Sequence, residues 1–380
     1  MVKQTRSSRA RRYLRTKVRQ DLRGLTYSLR RGFVTLGDRL RGIQSVSNPH
    51  LAQLPRHLVV HDLPLAGELR VATSRHDGDP IGRAHSIHAS TGVFPISFSS
   101  PREAVQTATK TKFLSTTIPG EPYSYEDENA YLEEYRRSLF ALSTKKSGWD
   151  CFRHLEVIFS GAIPLIPGLE ATPPGVMFAY PKNFLAHVFR EQVTGGPLFP
   201  AEEELSYLRS YAETYLTATA MARYMLESIS YDGGEILFLD FDLDVWTDYQ
   251  SIFTLIGLKR VLGRKLHTVS LPKYLTSLDS SPSGLYGMGF GYRGALNDQA
   301  LASESIPIGS INPEMIDGFE RVVLGQFFRD FPRFRGVAGP SVDLSRVVGV
   351  VGDDYPESRG TLKRMAESDI TFFVRELYAR

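Results

Sequence analysis

Short apolar runs alternate along the chain with stretches in which apolar residues recur every three or four positions. The clearest case begins with the run Leu139 to Leu142, which predicts a strand. After a polar turn, helical spacing follows from Trp149 to Phe159, and the run Ala162 to Ile166 predicts a second strand. A strand, a turn, a helix and a strand in this order predict one βαβ unit with parallel strands.

The same alternation predicts an α/β protein with two Rossmann-like domains. Further strands are predicted at 57–61, 68–73, 94–100, 235–239, 266–269, 319–324 and 347–351, and further helices at 130–138, 202–229 and 249–262. The turn sequence Asp232-Gly233-Gly234 predicts a boundary. We therefore expect one domain over 51–231 and a second over 232–380, with residues 1–50 forming a separate arm.

Composition narrows the class of protein. Of 380 residues, 42% are hydrophobic and 23% are charged, which is typical of a globular chain. Cys151 is the single cysteine, so an intramolecular disulfide is excluded and a reducing compartment fits. No apolar run approaches the ~20 residues of a membrane span, and the first residues lack the apolar core of a signal peptide. We therefore expect a cytoplasmic protein.

The net charge of +3 conceals a basic arm on an acidic body. The first 41 residues hold 13 Lys and Arg against Asp21 and Asp38. Leu14, Val18 and Leu22 recur within this arm at helical spacing, a basic amphipathic pattern. Such a helix is typical of peripheral contact with the inner face of an anionic membrane, and it is also compatible with nucleic-acid binding or with a solvated extension.

The polar residues of the βαβ unit suit a nucleotide. Lys145, Lys146 and Gly148 stand where the predicted helix begins, and free N–H groups at that end of a helix favour a phosphate. Arg153 and Glu156 lie three residues apart on one helix face, where a cation and a carboxylate could meet a diphosphate and a ribose. The spacing is equally compatible with a surface ion pair beside a solvated turn.

The block KKSGWDCFRHLE, followed by SGAIPLI and by Pro181-Lys182, resembles the exostosin-like glycosyltransferases and their bacterial and viral relatives. The resemblance implies a GT-B fold, in which two Rossmann-like domains face a cleft and this block lies in the donor half. It further implies that Arg153 contacts the diphosphate of a nucleotide-sugar and Glu156 its ribose. With Lys145, Lys146 and Gly148, we expect Lys112 and Trp149 to complete the donor site.

Segments of the second half also resemble that family, but in a different order. They are Asp248-Tyr249, Gly257-Leu258, 285–290, 352–354 and 375–377. In the relatives the segment like Arg375-Glu376-Leu377 leads on to one like 94–98, whereas here it comes last. We interpret this order as a circular permutation, which requires the segments on either side of the lost connection to lie close together.

An inverting transferase needs a base that accepts the proton of the acceptor hydroxyl. Carboxylates that follow strands of the second predicted domain are candidates, and we favour Asp353 and Asp354, because a Gly-Asp-Asp turn directly follows an apolar strand. Asp240, Asp242 and Asp248 are alternatives, and each could instead be a helix cap or turn residue. His154 could also serve, although a helical histidine beside an arginine is more often structural.

We therefore expect a glycosyltransferase of polysaccharide biosynthesis that moves a sugar from a nucleotide-sugar to a glycan or lipid-linked acceptor. The nucleotide-sugar is a co-substrate, no metal cofactor is expected, and nucleic acid is not an expected partner. One alternative is a metal-dependent GT-A transferase, in which the D-x-D of Asp240 and Asp242 holds Mn²⁺. Another is a non-catalytic protein that binds a nucleotide-sugar.

Overall fold

The computed structural model describes residues 48–52, 76–119, 125–195, 202–278, 285–297 and 305–378. These residues form an α/β structure with one large and one small parallel sheet and a short antiparallel pair. The strands are β1 (Val93–Pro95), β2 (Lys112–Leu114), β3 (Ser138–Leu142), β4 (Ile163–Leu165), β5 (Gly175–Val176), β6 (Ile236–Leu239), β7 (Leu266–Thr268), β8 (Arg321–Leu324), β9 (Val347–Val351), β10 (Thr371–Val374) and β11 (Glu376–Leu377).

Helices cover the sheets and connect the parallel strands. They are α1 (Pro49–Ala52), α2 (Pro80–His88), α3 (Glu128–Arg136), α4 (Phe152–Phe159), α5 (Lys182–Thr194), α6 (Glu202–Tyr215), α7 (Ala218–Ser228), α8 (Tyr249–Leu262), α9 (Lys273–Thr276), α10 (Pro313–Asp317), α11 (Phe327–Ala338) and α12 (Arg359–Ala366). Within the described ranges, no helix combines the length and the apolar character needed to cross a membrane.

The large sheet has six strands in the order β1-β10-β9-β8-β6-β7, all parallel. Its central strands are almost continuous apolar runs such as Ile236–Leu239 and Val347–Val351, and every residue of these two is buried. Strands that are covered on both faces need this composition, since neither face meets water. The predicted α/β class with a Rossmann-like parallel sheet is thus compatible with the structure.

Strand β1 joins segments that are far apart in the chain. It pairs in parallel with β10, with Phe94 opposite Phe373. The two rings stack at 5.6 Å, and Tyr224 of α7 packs against both and donates a hydrogen bond to the carbonyl of Pro95. Strand β1 and helix α7 therefore belong to the large-sheet layer, although the predicted boundary at 232 assigns them to the other domain.

The small sheet has the parallel order β2-β3-β4 and contains the predicted βαβ unit as β3, α4 and β4. That unit is confirmed, but its helix begins at Phe152 rather than Trp149, after Cys151 in an extended conformation. All five residues of β3 are buried. The loop predicted over 167–181 contains the short strand β5, which pairs antiparallel with β11 of the chain's last described segment.

The single helix predicted over 202–229 is wrong, because two helices, α6 and α7, occupy this range. Thr217 separates them: its backbone is extended, and its hydroxyl accepts a hydrogen bond from the N–H of Ala220, which caps α7. The break lets α6 pack against α4 and α7 pack along α8. The strands predicted at 57–61 and 68–73, and nearly all of the basic arm over 1–50, lie outside the described residues.

Two helical glycines provide a test of the α7–α8 contact. A Cβ atom at Gly257 of α8 would lie 2.1 Å from the carbonyl oxygen of Ala218, whereas a Cβ atom at Gly336 of α11 would meet nothing within 4 Å. We predict that Gly257→Ala lowers the free energy of unfolding by about 1–3 kcal/mol through overpacking. Gly336→Ala should raise it by up to about 1 kcal/mol, because alanine favours a helix. Urea unfolding measures both; equal effects would contradict close packing at Gly257.

Candidate functional site

A cavity of 990 Å³ lies where the carboxyl ends of strands from both parallel sheets meet. From the large sheet it is lined by residues that follow β1, β9 and β10 and by the start of α8; from the small sheet it is lined by the turn after β3 and the start of α4. Ligands of parallel α/β sheets bind at these ends, because the connecting loops and the helix N-termini converge there. This cavity is the candidate site.

The small-sheet side of the cavity carries the cationic part of the predicted block. Lys146 is exposed in the turn after β3, and Gly148 lines the wall behind it. Arg153, in the first turn of α4, lines the cavity with a residue exposure of only 6%. The N-cap Cys151 makes no side-chain hydrogen bond to the helix, so that the helix start is not capped by its own side chain.

His154 fixes the turn that presents these groups. Its ring nitrogens lie 2.8 Å from the hydroxyl of Ser143 and 3.0 Å from the carbonyl oxygen of Trp149. Because a carbonyl only accepts, Nε2 donates to Trp149, and the neutral ring then accepts from Ser143 at Nδ1. Burial lowers the pKa of His154 to about 4, which keeps the ring neutral. His154 therefore positions the turn and is poorly suited to act as the base.

Glu156 continues the same wall one turn further along α4. The hydroxyl of Tyr131 donates to its Oε2 at 2.8 Å, and the hydroxyl of Tyr135 lies 3.1 Å from that of Tyr131. Burial raises the pKa of Glu156 to about 7, against the lowering effects of Tyr131 and Arg153. Near neutral pH this carboxyl can therefore either donate or accept hydrogen bonds toward a ligand.

Three carboxylates stand on the large-sheet side: Asp353 and Asp354 after β9, and Asp248 at the start of α8. The side chain of Asp354 is 55% exposed and forms an ion pair with Arg375. Asp248 accepts a hydrogen bond from the N–H of Ser251 at 3.0 Å and so caps α8. Burial raises the pKa of Asp248 to about 6.

Arg375 joins the two sides beneath the cavity. Directly after β10, its buried guanidinium donates to the carbonyl oxygens of Gly352 and Asp150, pairs with Asp354 and lies 4.2 Å above the ring of Phe98. Asp150 belongs to the turn before α4, so this one side chain bonds the ends of β9 and β10 to the small-sheet side. Bonds that use most donors of a buried guanidinium offset much of its desolvation cost.

Two buried acids surround that guanidinium. The carboxylate of Asp150 accepts from the N–H of Phe98 at 2.6 Å, and Glu376 accepts from the N–H of Asp150 at 3.2 Å. Burial raises the pKa of Asp150 to about 6 and that of Glu376 to about 7, while Arg375 lowers both. A Cβ atom at position 148 would lie 2.5 Å from Oε1 of Glu376, so glycine is needed where the turn crosses this cluster.

A segment after β7 spans the cavity from one side to the other. Leu285 to Met288 and Phe290 line it; the Tyr286 ring meets Tyr249 of α8 at 5.3 Å, whereas Phe290 meets Tyr131 of α3 at 5.7 Å. Gly287 and Met288 both have left-handed backbone, with φ of 59° and 58°, which is rare for methionine. Strained backbone of this kind is concentrated at functional sites.

The structure brings most of the predicted site residues together. Lys146, Gly148, Arg153, Glu156, Asp353 and Asp354 all line the cavity. Lys145 and Trp149 instead form a cation–π contact of 4.6 Å, and neither lines the cavity. Trp149 is buried in the main core cluster.

Lys112 is not brought to the cavity. It is the first residue of β2 and lies opposite Ser138, the first residue of β3, whereas the cavity lies beyond the last residue of β3. A parallel sheet separates these two edges by the strand length, roughly 13 Å at ~3.3 Å per residue. The ammonium pairs there with Glu134 of α3. Lys112 precedes its apolar run, which places it at the amino end of a strand, but the sequence does not show whether that strand runs parallel or antiparallel to β3, and the parallel pairing is what puts this end at the edge away from the cavity.

The D-x-D acids after β6 are paired with arginines of α11. Asp240 bonds to Arg329 and accepts from the hydroxyl of Ser251 at 2.6 Å, and Asp242 pairs with Arg333 at 2.9 Å. Neither acid lines the cavity. Within the described ranges, no group of three or more His, Cys, Asp and Glu is arranged to hold a metal ion. Each of the two acids is thus partnered with a guanidinium group.

Sequence reasoning did not assign site roles to Arg375, Asp150, Glu376 or the rings of Tyr249 and Tyr286. A charged Arg-Glu pair directly after the apolar strand TFFV was an available signal, because a strand end at the carboxyl edge exposes its next residues to the site.

Comparison of the chain with protein-family models, curated proteins and solved structures gave no match.

Arg375 provides a test of the junction. We predict that Arg375→Met lowers the free energy of unfolding by about 3–5 kcal/mol, because it leaves Asp150 and Glu376 buried without their cation. The matched variant Arg364→Met, at an exposed position on α12, should change it by less than about 0.5 kcal/mol. Urea unfolding at pH 7 measures both. A loss below about 1 kcal/mol for Arg375→Met would show that the guanidinium does not hold the two sides together.

Glu156 provides a test of cavity electrostatics. Its pKa is raised from 4.5 in the unfolded chain to about 7, so ionisation costs the folded state more, and its contribution to stability falls as the pH rises through this window. We predict that the free energy of unfolding of Glu156→Gln increases relative to that of the wild type as the pH rises from 5 to 8, as measured by urea unfolding.

Glu133→Gln is the control for this measurement. Hydrogen bonding to Arg137 lowers the pKa of Glu133, so it is largely ionised in both states over that range and the difference from the wild type should change little, and only near pH 5. A constant difference for Glu156→Gln as well would contradict the raised pKa.

Proposed function

We propose that the chain is a glycosyltransferase of GT-B type, in which two Rossmann-like domains face a cleft that holds a nucleotide-sugar. The observation that carries the proposal is that the carboxyl ends of both parallel sheets converge on one cavity, with Lys146 and Arg153 on one side and Asp248 and Asp353 on the other. Such a site separates cations for a leaving diphosphate from carboxylates for an acceptor.

The size of the cavity supports two substrates. Its 990 Å³ stands at the upper end of the roughly 300–1,000 Å³ that is common for small-molecule pockets. A nucleotide-sugar fits the small-sheet side, with its diphosphate near the start of α4 and its ribose near Glu156. The rings of Tyr249 and Tyr286 offer apolar faces to a sugar of a glycan or lipid-linked acceptor on the other side.

The order of segments supports the resemblance to the exostosin-like family. A circular permutation requires the end of β10 to lie beside the strand that the relatives would reach next, and β1 is the parallel neighbour of β10. The arginines that pair with Asp240 and Asp242 favour this metal-independent scheme over the GT-A alternative. The proposal includes peripheral contact between residues 1–41 and an anionic membrane. These residues lie outside the described ranges.

Donor binding tests the proposal. We predict that a panel of UDP- and GDP-sugars contains a ligand that the wild type binds in isothermal titration, and that Arg153→Ala and Glu156→Ala each weaken it by at least about tenfold, or about 1.4 kcal/mol. Both residues line the cavity, so the loss follows from removing a charge-assisted bond.

Arg137→Ala is the matched control, because Arg137 forms an exposed helical ion pair with Glu133 away from the cavity. Its affinity should equal that of the wild type. Unchanged affinity in both Arg153→Ala and Glu156→Ala would refute the donor site. Loss of activity in chelator would favour the GT-A alternative, and donor binding without sugar release or transfer would favour a non-catalytic binding protein.

A further inference from the structure

Asp248 occupies a position that distinguishes it from the other two carboxylates of the cavity. It is the residue before α8, on the large-sheet side, and it lines the cavity together with Asp353. Its Oδ1 accepts from the N–H of Ser251 at 3.0 Å, and no second hydrogen bond to the Asp248 carboxylate comes from the described residues. The cap fixes the carboxylate while Oδ2 retains its capacity to accept.

Gly352 lets the end of β9 pass close to the start of α8, next to this carboxylate. A Cβ atom there would lie 2.6 Å from Cβ of Gln250 and 3.6 Å from Oδ1 of Asp248. The absence of a side chain lets the turn that carries Asp353 pass directly over the start of α8. Asp248 and Asp353 therefore belong to one wall, although they are far apart in the chain.

The charged and titratable groups around Asp248 come from four elements. Burial raises its pKa to about 6, with a further contribution in the same direction from the charges of Asp240 after β6 and Asp353 after β9, whereas the bond from the N–H of Ser251 and the charge of Arg329 of α11 act to lower it. Tyr274 of α9 also faces Asp248, whose charge opposes ionisation of the phenol. A carboxylate in this setting is ionised at neutral pH and still basic enough to take a proton.

Asp354 is less suited to the same task. Its carboxylate forms an ion pair with the buried Arg375 and its side chain is 55% exposed, so it faces both a fixed cation and water. Asp353 lines the cavity and acts on Asp248 through its charge.

We propose that Asp248 is the general base of the transfer, with Asp353 as the residue that tunes it. The inference rests on the proposed function. The acceptor hydroxyl gives its proton to Asp248, and its oxygen forms a bond to the anomeric carbon of the donor. The bond from that carbon to the diphosphate oxygen breaks, and its electron pair leaves on the diphosphate beside Lys146 and Arg153. A single displacement of this kind inverts the anomeric configuration.

Asp248→Asn tests the proposal, because asparagine caps a helix as well as aspartate does but cannot take the proton. The probes are UDP-glucose, UDP-N-acetylglucosamine and GDP-mannose, with water as the acceptor and nucleotide release as the readout. We expect the variant to bind the donor as the wild type does and to release nucleotide about 10²–10⁴-fold more slowly. The control is Asp79→Asn, which changes the exposed cap of α2 in the same way and should leave the rate unchanged.

The pH profile supplies a second readout that a purely structural role would not move. The wild-type rate should fall as the pH drops through about 6, where Asp248 takes up its proton. Asp353→Asn removes a neighbouring negative charge, so it should shift this fall to lower pH while retaining most of the rate. Asp248→Asn should lose the fall altogether. If the asparagine variant does not fold, Asp248→Ser keeps a capping oxygen and takes its place.

Each outcome decides the question. A rate for Asp248→Asn within about threefold of the wild type, a larger loss for Asp353→Asn than for Asp248→Asn, or loss of donor binding in Asp248→Asn would overturn the assignment. If the wild type binds a donor but releases no nucleotide at any pH, the assignment of Asp248 as the base is overturned as well, whereas the proposed donor site is retained. If no donor binds the wild type, the proposed function fails first.

Discussion

The buried guanidinium of Arg375 is the constraint on which the site depends. It stands at the end of β10 and bonds to carbonyl oxygens of both Gly352 and Asp150, which lie on different sides of the cavity. An isolated cation at 1% exposure would be prohibitively costly, so the acids beside it and the carbonyls must stay in place together. The geometry of the cavity wall therefore follows from the hydrogen-bond requirements of one side chain.

Several carboxyl groups near the cavity resist ionisation because they are buried, although Arg375 opposes this effect at Asp150 and Glu376. Burial raises the pKa values of four such groups, which are Asp150, Glu156, Asp248 and Glu376. The small-sheet side sets the cations Lys146 and Arg153 beside Glu156, whereas the large-sheet side sets carboxylates close to one another. An anionic ligand near the first and a proton donor near the second would each relieve an electrostatic cost.

Much of this architecture could be predicted from the sequence, because its signals are local. Apolar runs identified most strands of the large sheet, and β3, α4 and β4 follow directly from their periodicity. The contributions of Arg375 and Glu376 could not be predicted in the same way, because their partners are distant in the chain: Arg375 is 23 residues from Gly352 and 225 from Asp150, and Glu376 is 226 from Asp150. Helix α11 was missed although Phe327, Phe331 and Phe334 have helical spacing, because Pro332 inside the run is unfavourable for a helix.

Lys112 and Thr217 show the limits of pattern reasoning for single residues. A lysine before an apolar run lies at the amino end of its strand, but the local pattern does not show whether the neighbouring strand runs in the same direction, and only the parallel pairing of Lys112 with Ser138 places it at the edge away from the cavity. The break at Thr217 is invisible to helical periodicity, because both α6 and α7 keep an apolar face. Pairing register and long-range packing decided these positions.

The most direct measurement of the central claim is a crystal structure of the protein with UDP bound. The account predicts that the diphosphate lies between the two sheets, with a phosphate oxygen within hydrogen-bond distance of the Arg153 guanidinium and the start of α4, and with the ribose beside Glu156. Clear density for the nucleotide elsewhere, with this cavity filled only by water, would contradict it.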